Sequence, residues 1–198
     1  MKSDIILAGV GGQGILSIAA TIGMAALENN FYLKQAEVHG MSQRGGAVQS
    51  HLRISDKEIA SDLIPLGKAN LIISVEPMES LRYLSYLAEN GWLVTNTTPF
   101  NNIPNYPDLE KLIKEIESFP HHIAINADEM ARNVKSPRSS NMVMLGAASP
   151  FLDISYPSLE NGIRKIFGRK GENIVQLNID ALKTGREFAL NHTPVGSN

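Results

Sequence analysis

The chain has 198 residues, of which 43% are hydrophobic and 19% charged, and its formal net charge is -2. This balance is typical of a globular protein and excludes both a disordered chain and a strongly basic nucleic-acid-binding protein. The sequence has no cysteine, which excludes thiolate-held iron–sulfur clusters, disulfides and a cysteine nucleophile in this chain.

Short apolar or alternating runs predict strands, and apolar side chains repeated at helical spacing predict helices. Asp108 is a predicted helix N-cap. The helix that begins at Pro77 is expected to bury four side chains, those of Met78, Leu81, Leu84 and Leu87. In chain order the predicted elements are strand 4–8, helix 15–28, strands 32–38, 47–54 and 70–75, the helix from 77, strand 92–95, helix 109–116, strand 121–125, and helices 128–133, 140–152, 158–167 and 172–192.

Strands that alternate with helices predict an α/β fold with three layers, α/β/α, and a helical C-terminal part. Strand 47–54 follows its predecessor through a loop only, so it should pair antiparallel and make a mostly parallel sheet mixed. We expect one domain over 1–192 and a disordered tail at 193–198. The stretch 142–148 is apolar on every side, which predicts a helix buried in the core or beneath a partner chain, and its position favours a subunit contact.

No apolar run approaches the ~18 residues needed to cross a bilayer. Met1 to Asp4 lead directly into a strand, without the apolar region of a signal peptide. We therefore expect a cytoplasmic protein that contacts neither membrane nor nucleic acid.

A glycine-rich turn, Gly9-Val-Gly-Gly-Gln-Gly14, connects the first strand to the first helix. This context satisfies the G-x-G-x-x-G dinucleotide fingerprint, and the helix behind it offers free N–H groups to an anion. Glu37, at the end of the second strand, could bind a ribose, as in a stand-alone NAD- or FAD-binding protein. Alternatively, the glycines only close a tight connection against neighbouring backbone.

A second polar loop, His39 to Gly46, follows the second predicted strand and should reach the same edge of the sheet as the glycine turn. Arg44 can hold a phosphate or carboxylate with two parallel hydrogen bonds. Alternatively, this is an interface loop in which Arg44 pairs with a carboxylate. Together the two loops predict one cofactor-binding site, made of Gly9, Gly11, Gly12, Gln13, Gly14, Ser42, Gln43, Arg44, Gly45 and Gly46.

Other polar residues predict no further chemistry. Glu37, His39 and His51 are metal-ligand types, but their spacing fixes no geometry, so we expect no metal in this chain. Ser17 and Ser42 lack a nucleophile motif such as G-x-S-x-G, so we expect no catalytic residue here.

The chain resembles the γ-type subunit or domain of the 2-oxoacid:ferredoxin oxidoreductases over nearly its whole length. The resemblance rests on Gly9-Val-Gly-Gly-Gln-Gly14, on His39-Gly-Met-Ser-Gln-Arg-Gly-Gly46, on Glu76-Pro77 opening a helix, and on Asn141 with Met144-Leu-Gly146. Pyruvate and 2-oxoglutarate members tend to have Tyr-Gly-Pro-Glu before Arg-Gly-Gly. His-Gly-Met-Ser-Gln is typical of the indolepyruvate branch.

The resemblance implies an accessory, non-catalytic subunit of an enzyme that decarboxylates aryl-2-oxoacids oxidatively to aryl-acetyl-CoA and reduces ferredoxin. It places thiamine diphosphate, Mg²⁺ and iron–sulfur clusters on a large partner subunit, with CoA as co-substrate. The sequence agrees in part, since it has no cysteine and no Gly-Asp-Gly metal–diphosphate motif. A purely structural interaction subunit and a homodimer of the isolated chain stay open as alternatives.

Overall fold

The structure is a computed structural model and describes residues 1–40, 45–101 and 103–193. These ranges contain six strands: β1 Lys2–Val10, β2 Tyr32–His39, β3 Ala47–Ser55, β4 Ala69–Ser74, β5 Leu87–Asn96 and β6 His122–Ile125. They also contain seven α-helices: α1 Ile15–Glu28, α2 Pro77–Arg82, α3 Leu109–Glu117, α4 Ala127–Asn133, α5 Ser140–Ala148, α6 Tyr156–Phe167 and α7 Glu172–His192. Short 3-10 turns lie at Leu84–Tyr86, Ser149–Phe151 and Gly168–Lys170.

The six strands form one mixed sheet in the order β2-β3-β1-β4-β5-β6. β3 runs antiparallel to both of its neighbours, β1 and β2, whereas β1, β4, β5 and β6 pair in parallel. The antiparallel prediction for this strand is confirmed, because the connection between β2 and β3 is too short to hold a crossover helix.

Helices cover both faces of the sheet, as the three-layer prediction requires. On one face, side chains of β1 and β4 such as Ile5 and Ile73 join a large core with α1, α4, α5, α6 and α7. On the other face, Ile6, Ile72 and Leu93 pack against Ile116 of α3 in a smaller core. Because successive side chains of a strand point to opposite faces of the sheet, each strand contributes side chains to two separate cores.

Two predicted helices are too long. α2 ends at Arg82, and Leu87 is the first residue of β5, where it pairs with Ala69 of β4. The predicted apolar face of one helix is therefore confirmed only in part. Leu81, Leu84 and Leu87 are partly buried against the smaller core, but from three different elements, and Met78 is only half-buried. The helix predicted over 140–152 ends at Ala148, where Pro150 lacks the N–H that would continue it.

The apolar helix α5 is buried by this chain itself. The side chains of Met142 to Ala148 have essentially no exposed surface, and α7 lies directly against α5. At Gly146 an added methyl group would sit 1.9 Å from the carbonyl oxygen of Leu182, and at Gly185 it would sit 1.9 Å from that of Val143. The predicted subunit contact for this stretch is therefore wrong, because α7 already covers it.

In the part of the chain that the structure describes, no helix is both long and apolar enough to cross a membrane. Thr193 follows the last helix. The rest of the predicted tail, 194–198, lies outside the described residues.

Candidate functional site

The candidate site lies where the helices that connect successive strands switch from one face of the sheet to the other. The chain leaves β1 through α1 on the face of the larger core and leaves the adjacent, parallel β4 through α2 on the opposite face. The carboxyl ends of two such strands enclose a crevice, which is the usual ligand position in open α/β sheets. The glycine turn follows β1 into this crevice.

Two glycines of the turn are required by close packing. A Cβ at Gly9 would lie 2.3 Å from Cγ2 of Val75, and a Cβ at Gly14 would lie 2.6 Å from Nδ2 of Asn141. Gly14 also has a φ of +81°, in the left-handed region that favours glycine. At Gly12 the corresponding space is open, so this residue presents backbone to the crevice.

Gln13 links the ends of the two central strands. Its side-chain Oε1 accepts a hydrogen bond of 2.8 Å from the backbone N–H of Val10, and its Nε2 donates to the carbonyl of Val75 at 3.3 Å. Asn141 of α5 adds a third tie, donating from Nδ2 to the carbonyl of Gly14 at 3.1 Å. The turn is thereby fixed to β4 and α5.

The two predicted loops meet at this edge. The backbone N–H of Gly11 donates to the carbonyl of Gly46 at 2.9 Å, and Gly45 has a φ of +76°. The end of the second loop therefore lies beside the glycine turn, at the edge of the sheet where the two loops were expected to meet. Of its predicted binding residues, Ser42, Gln43 and Arg44 lie outside the described residues.

A cavity of about 480 Å³ opens beside the turn. Besides the glycine-turn residues, Asn141 and Met144 were already marked by the sequence, but the other residues that shape the cavity were not. Its lining includes Asn96 at the end of β5, Asp128 of α4, Phe100, and Arg138 with Asn141 near the start of α5. Asn96 donates from Nδ2 to Oδ2 of Asp128 at 2.7 Å and accepts from the N–H of Ala127 at 3.1 Å. A polar residue at a strand's carboxyl end is the signal that could have identified Asn96.

One wall of this cavity is held by a buried carboxylate. Glu76 follows β4 and has 0% exposed surface. It accepts hydrogen bonds from the N–H of Glu79 at 2.8 Å, from the N–H of Phe100 at 3.3 Å and from the hydroxyl of Tyr106. Burial, together with this bond to a carboxylate, raises the pKa of Tyr106 far above its ordinary value, so the hydroxyl remains a donor. Glu76 thus fixes the segment that carries Phe100.

His51, one of the three residues of metal-ligand type considered above, has a structural role. His51 is 4% exposed, and its Nδ1 accepts a hydrogen bond of 3.0 Å from the N–H of Ile64. Within 1–40, 45–101 and 103–193, no group of three His, Cys, Asp or Glu side chains could hold a metal ion.

The cavity presents backbone and amide groups, with one acid, Asp128, and one guanidinium, Arg138, in its wall. Groups of this kind can orient a polar or anionic ligand. The fold thus defines a doubly wound α/β domain with a glycine-rich turn at its switch point.

Comparison with known proteins identifies the family. The family model "Pyruvate ferredoxin/flavodoxin oxidoreductase" matches residues 4–188. The chain is 36% identical over 205 residues to "Indolepyruvate oxidoreductase subunit IorB" of Archaeoglobus fulgidus, with 98% of both chains covered. The chain therefore belongs to the pyruvate ferredoxin/flavodoxin oxidoreductase family.

Solved structures show the same fold. The chain superposes on the gamma subunit of a keto/oxoacid ferredoxin oxidoreductase from Geobacter sulfurreducens with a TM-score of 0.72 at 24% identity, covering 96% of this chain and 99% of that one. It also matches the 2-oxoglutarate:ferredoxin oxidoreductase from Magnetococcus marinus with a TM-score of 0.76 at 24% identity. That match covers 97% of this chain but only 32% of the larger one.

Proposed function

We propose that this chain is the accessory subunit of a thiamine-diphosphate-dependent enzyme that decarboxylates indolepyruvate or related aryl-2-oxoacids oxidatively to aryl-acetyl-CoA and transfers the electrons to ferredoxin. The observation that carries the proposal is the 36% identity to an indolepyruvate oxidoreductase subunit over 98% of both chains. The His-Gly-Met-Ser-Gln stretch before Arg44 supports the same branch.

The redox groups belong to a large partner subunit in this proposal. The sequence has no cysteine to hold an iron–sulfur cluster, and the described ranges bring no three metal-ligating side chains together. The donor set of this chain therefore does not fit those groups. Thiamine diphosphate, held with Mg²⁺ by the partner, supplies the stabilisation of negative charge at the carbonyl carbon, which is chemistry of the cofactor.

The edge that carries the glycine turn faces the partner. Leu16, in the first turn of α1, is 54% exposed, and Phe100 at the cavity is 41% exposed. Large apolar side chains that frame a polar crevice are typical of a surface that another chain covers. The site is then completed by the partner subunit.

The two loops contact CoA in this proposal. Gly12 presents open backbone beside the N-terminus of α1, and Arg44 belongs to the loop that is hydrogen-bonded to the same turn through Gly46. Backbone N–H groups and a guanidinium bind phosphate groups well. CoA brings such groups to the reaction.

Co-expression with the large subunit tests the principal proposal. We expect indolepyruvate- and CoA-dependent reduction of ferredoxin only when both chains are present. If the large subunit alone is equally active, the proposal is wrong. If the isolated chain binds NADH with micromolar affinity in a fluorescence titration, the stand-alone dinucleotide-binding alternative is favoured instead.

Arg44→Ala tests the CoA contact in the assembled complex. We expect the KM for CoA to rise by about tenfold, because a charge-assisted contact to phosphate is lost. Lys114→Ala on α3 removes one charge from an exposed helix and serves as the control, with kinetics unchanged. An assembled Arg44→Ala complex with an unaltered KM for CoA would count against the contact.

A further inference from the structure

β2 is a long strand at one edge of the sheet. In the described part of the chain it pairs with β3 on one side only. It has eight residues and no proline, and its register with β3 is continuous from Tyr32 to His39, without a bulge. Edge strands are usually kept from pairing with another chain by short length, proline, a bulge or a charged side chain. β2 has none of the first three devices, whereas β6 at the opposite edge has only four residues.

The main chain of β2 is positioned to bond to a further strand. The N–H of Gly40, directly after β2, donates to the carbonyl of Ala47 at 2.9 Å, so these two residues form a hydrogen-bonded pair. Such pairs alternate with non-bonded pairs along an antiparallel ladder. The even-numbered residues of β2 therefore bond to β3. The N–H and carbonyl groups of Leu33 and Gln35 consequently point away from β3, toward the outer edge.

The lysine of β2 does not protect this edge. Nζ of Lys34 donates to the carbonyl of Ala60 at 3.2 Å, in the loop that follows β3. Arg53 is the β3 residue opposite Lys34, and it holds the same loop by donating to the carbonyls of Ser61 and Leu63. The ammonium group of Lys34 is therefore directed toward β3 and not outward from the edge.

Large apolar side chains are exposed at both ends of β2. Tyr32 is 51% exposed and Val38 is 56% exposed. Both have even numbers, so they lie on the same face of the sheet. α1 covers the opposite face of β2, where a Cβ added to Gly23 would lie 3.1 Å from Cδ2 of Leu33. Two exposed apolar side chains thus flank the middle of the strand on the face that α1 does not cover.

α1 presents a second apolar surface. It has a single charged residue, its last, and is otherwise almost apolar around its circumference. Ala20, Met24 and Leu27 recur at helical spacing on its outer side, where Leu27 is 55% exposed and the other two are partly exposed. A helix that is apolar on every side is typical of one that is fully covered in its assembly.

The exposed stripe of α1 lies next to the edge of β2. Gly23 of α1 faces β2, whereas Thr21 faces α6, since a Cβ added to Gly162 would lie 2.6 Å from the carbonyl oxygen of Thr21. At 3.6 residues per turn, the stripe lies between these two directions around the helix. A chain that pairs with β2 therefore also approaches the apolar stripe of α1.

A second copy of β2 fits this edge in one register. In an antiparallel pair related by a two-fold axis, Gln35 pairs with Gln35 of the second copy. Tyr32 then lies opposite Val38 of the second copy, and Val38 opposite its Tyr32, so that both exposed apolar side chains are covered. Lys34 lies opposite Ala36. The neighbouring registers are worse, because one places the two Lys34 residues opposite each other and the other leaves Tyr32 opposite a glycine.

We propose that two copies of this chain pair through β2, with Gln35 at the two-fold axis, and form one continuous sheet across the dimer. β2 runs in the same direction as β1, so the carboxyl edges of the two sheets point in opposite directions. Both glycine turns remain accessible in this dimer. It can therefore bind a large subunit at each end, a consequence that rests on the function proposed above.

Sedimentation equilibrium of the full chain tests the pairing. We expect the mass of two chains at tens of micromolar. At about 200 µM even a pair with a Kd of about 0.1 mM is mostly dimeric, so a wild-type chain that stays monomeric there would overturn the proposal.

A charged edge variant tests which surface forms the dimer. Val38→Lys should raise the dimer Kd at least about tenfold, because each dimer contains two pairs of Tyr32 with Val38 and a lysine disfavours edge pairing. Leu190→Lys is the matched control, since Leu190 of α7 is 53% exposed, and it should leave the dimer Kd unchanged. Equal weakening by both variants would show a general effect of charge and overturn the proposed interface.

Cysteine cross-linking tests the register. The chain has no cysteine, so Gln35→Cys introduces a single thiol. The Cα atoms of a hydrogen-bonded antiparallel pair lie about 5.5 Å apart, within the range of a disulfide. We expect Gln35→Cys to form a covalent dimer at least about tenfold faster than Lys57→Cys, whose thiol is exposed elsewhere, because pairing raises the effective concentration. Equal rates would contradict the proposal.

The same variants distinguish a second copy from the large subunit. In the assembled complex we expect Gln35→Cys to cross-link to another copy of this chain, and Val38→Lys to retain the large subunit. If Gln35→Cys cross-links to the large subunit, or if Val38→Lys releases it, the large subunit occupies this edge and the proposal is wrong. Sedimentation of the chain alone needs neither the large subunit nor ferredoxin, so its result is independent of the test of the proposed function.

Discussion

The contact between α5 and α7 makes the consequence of one added methyl group calculable. In Gly146→Ala the new Cβ would lie 1.9 Å from the carbonyl oxygen of Leu182, whereas real Cβ atoms stay beyond 3.0 Å. The obstructing atom is main chain and cannot rotate away. The two helices must therefore separate by about 1 Å, which loosens a fully buried contact.

Two opposing effects set the magnitude. Alanine is more favourable than glycine in a helix interior by about 0.8–1.0 kcal/mol. Overpacking costs about 1–3 kcal/mol, and a backbone clash places Gly146→Ala at the upper end of that range. We expect the free energy of unfolding to fall by about 2 kcal/mol, and the Tm by roughly 4–8 °C for a chain of this size.

Urea denaturation followed by circular dichroism measures the change. Gly168→Ala is the matched control, because Gly168 already has helical backbone angles and a Cβ added there would meet no atom within 4 Å. This control should be neutral or stabilised by up to about 1 kcal/mol. A Gly146→Ala variant as stable as wild type would show that the two helices accommodate the methyl group without loss of packing. Gly185→Ala should cost a similar amount, but the double variant should cost less than the sum, since the first methyl already separates the helices.

Three further predictions concern buried polar groups. Burial lowers the pKa of His51 below its ordinary 6.5, so the folded state binds fewer protons, and stability should fall as the pH drops below about 6.5; urea titrations between pH 5 and 8 measure the slope. Tyr106→Phe removes a donor to the buried Glu76 carboxylate and should lower the free energy of unfolding by about 1–3 kcal/mol in thermal or urea denaturation. Arg53→Met removes the buried partner of the 1% exposed Asp4 carboxylate, which then keeps only the exposed ammonium group of Lys2 at 3.0 Å, and should cost about 3 kcal/mol, the lower end for a broken buried pair, by the same measurement.

Each of these predictions has its own control. A His51→Gln variant should lose much of the pH slope, and an unchanged slope would show that another group titrates. Tyr32→Phe removes the hydroxyl of a half-exposed ring and should leave the free energy of unfolding unchanged. If Tyr32→Phe lowers it as much as Tyr106→Phe does, the loss cannot be assigned to the hydrogen bond with Glu76. Replacing Asp4 and Arg53 together by apolar residues should cost less than Arg53→Met alone, because no buried charge is then left unpaired.

Most of the fold could be predicted from local patterns. The ends of α1 and α7 agree with the prediction because each has a continuous apolar stripe and a glycine directly before it. The antiparallel direction of β3 could be predicted from the length of the loop between β2 and β3 alone. Gly146 belongs to the motif Met144-Leu-Gly146, but no local pattern explains why glycine is needed there, since the atom that excludes a Cβ is the carbonyl oxygen of Leu182, which is remote in the chain.

The candidate site was predictable only in part, for the same reason. The glycine turn and the second loop were expected to meet because strand order brings them to one edge, and the hydrogen bond from Gly11 to Gly46 confirms the meeting. The pair of Asn96 and Asp128 could not be predicted, since it joins side chains 32 residues apart. The hydrogen bond between Asn141 and Gly14 joins residues 127 positions apart, so no local sequence pattern could predict it.

The hydrogen bonds of Gln13 have a kinetic consequence. Both polar ends of its side chain are already bound to backbone, at Val10 and Val75. A ligand that arrives at the glycine turn therefore meets main-chain groups in their final positions, and little conformational entropy is lost on association. Ligands that share the same charge should arrive at similar rates and differ mainly in how long they remain bound, so residence time is the quantity that distinguishes a correct ligand from a poor one.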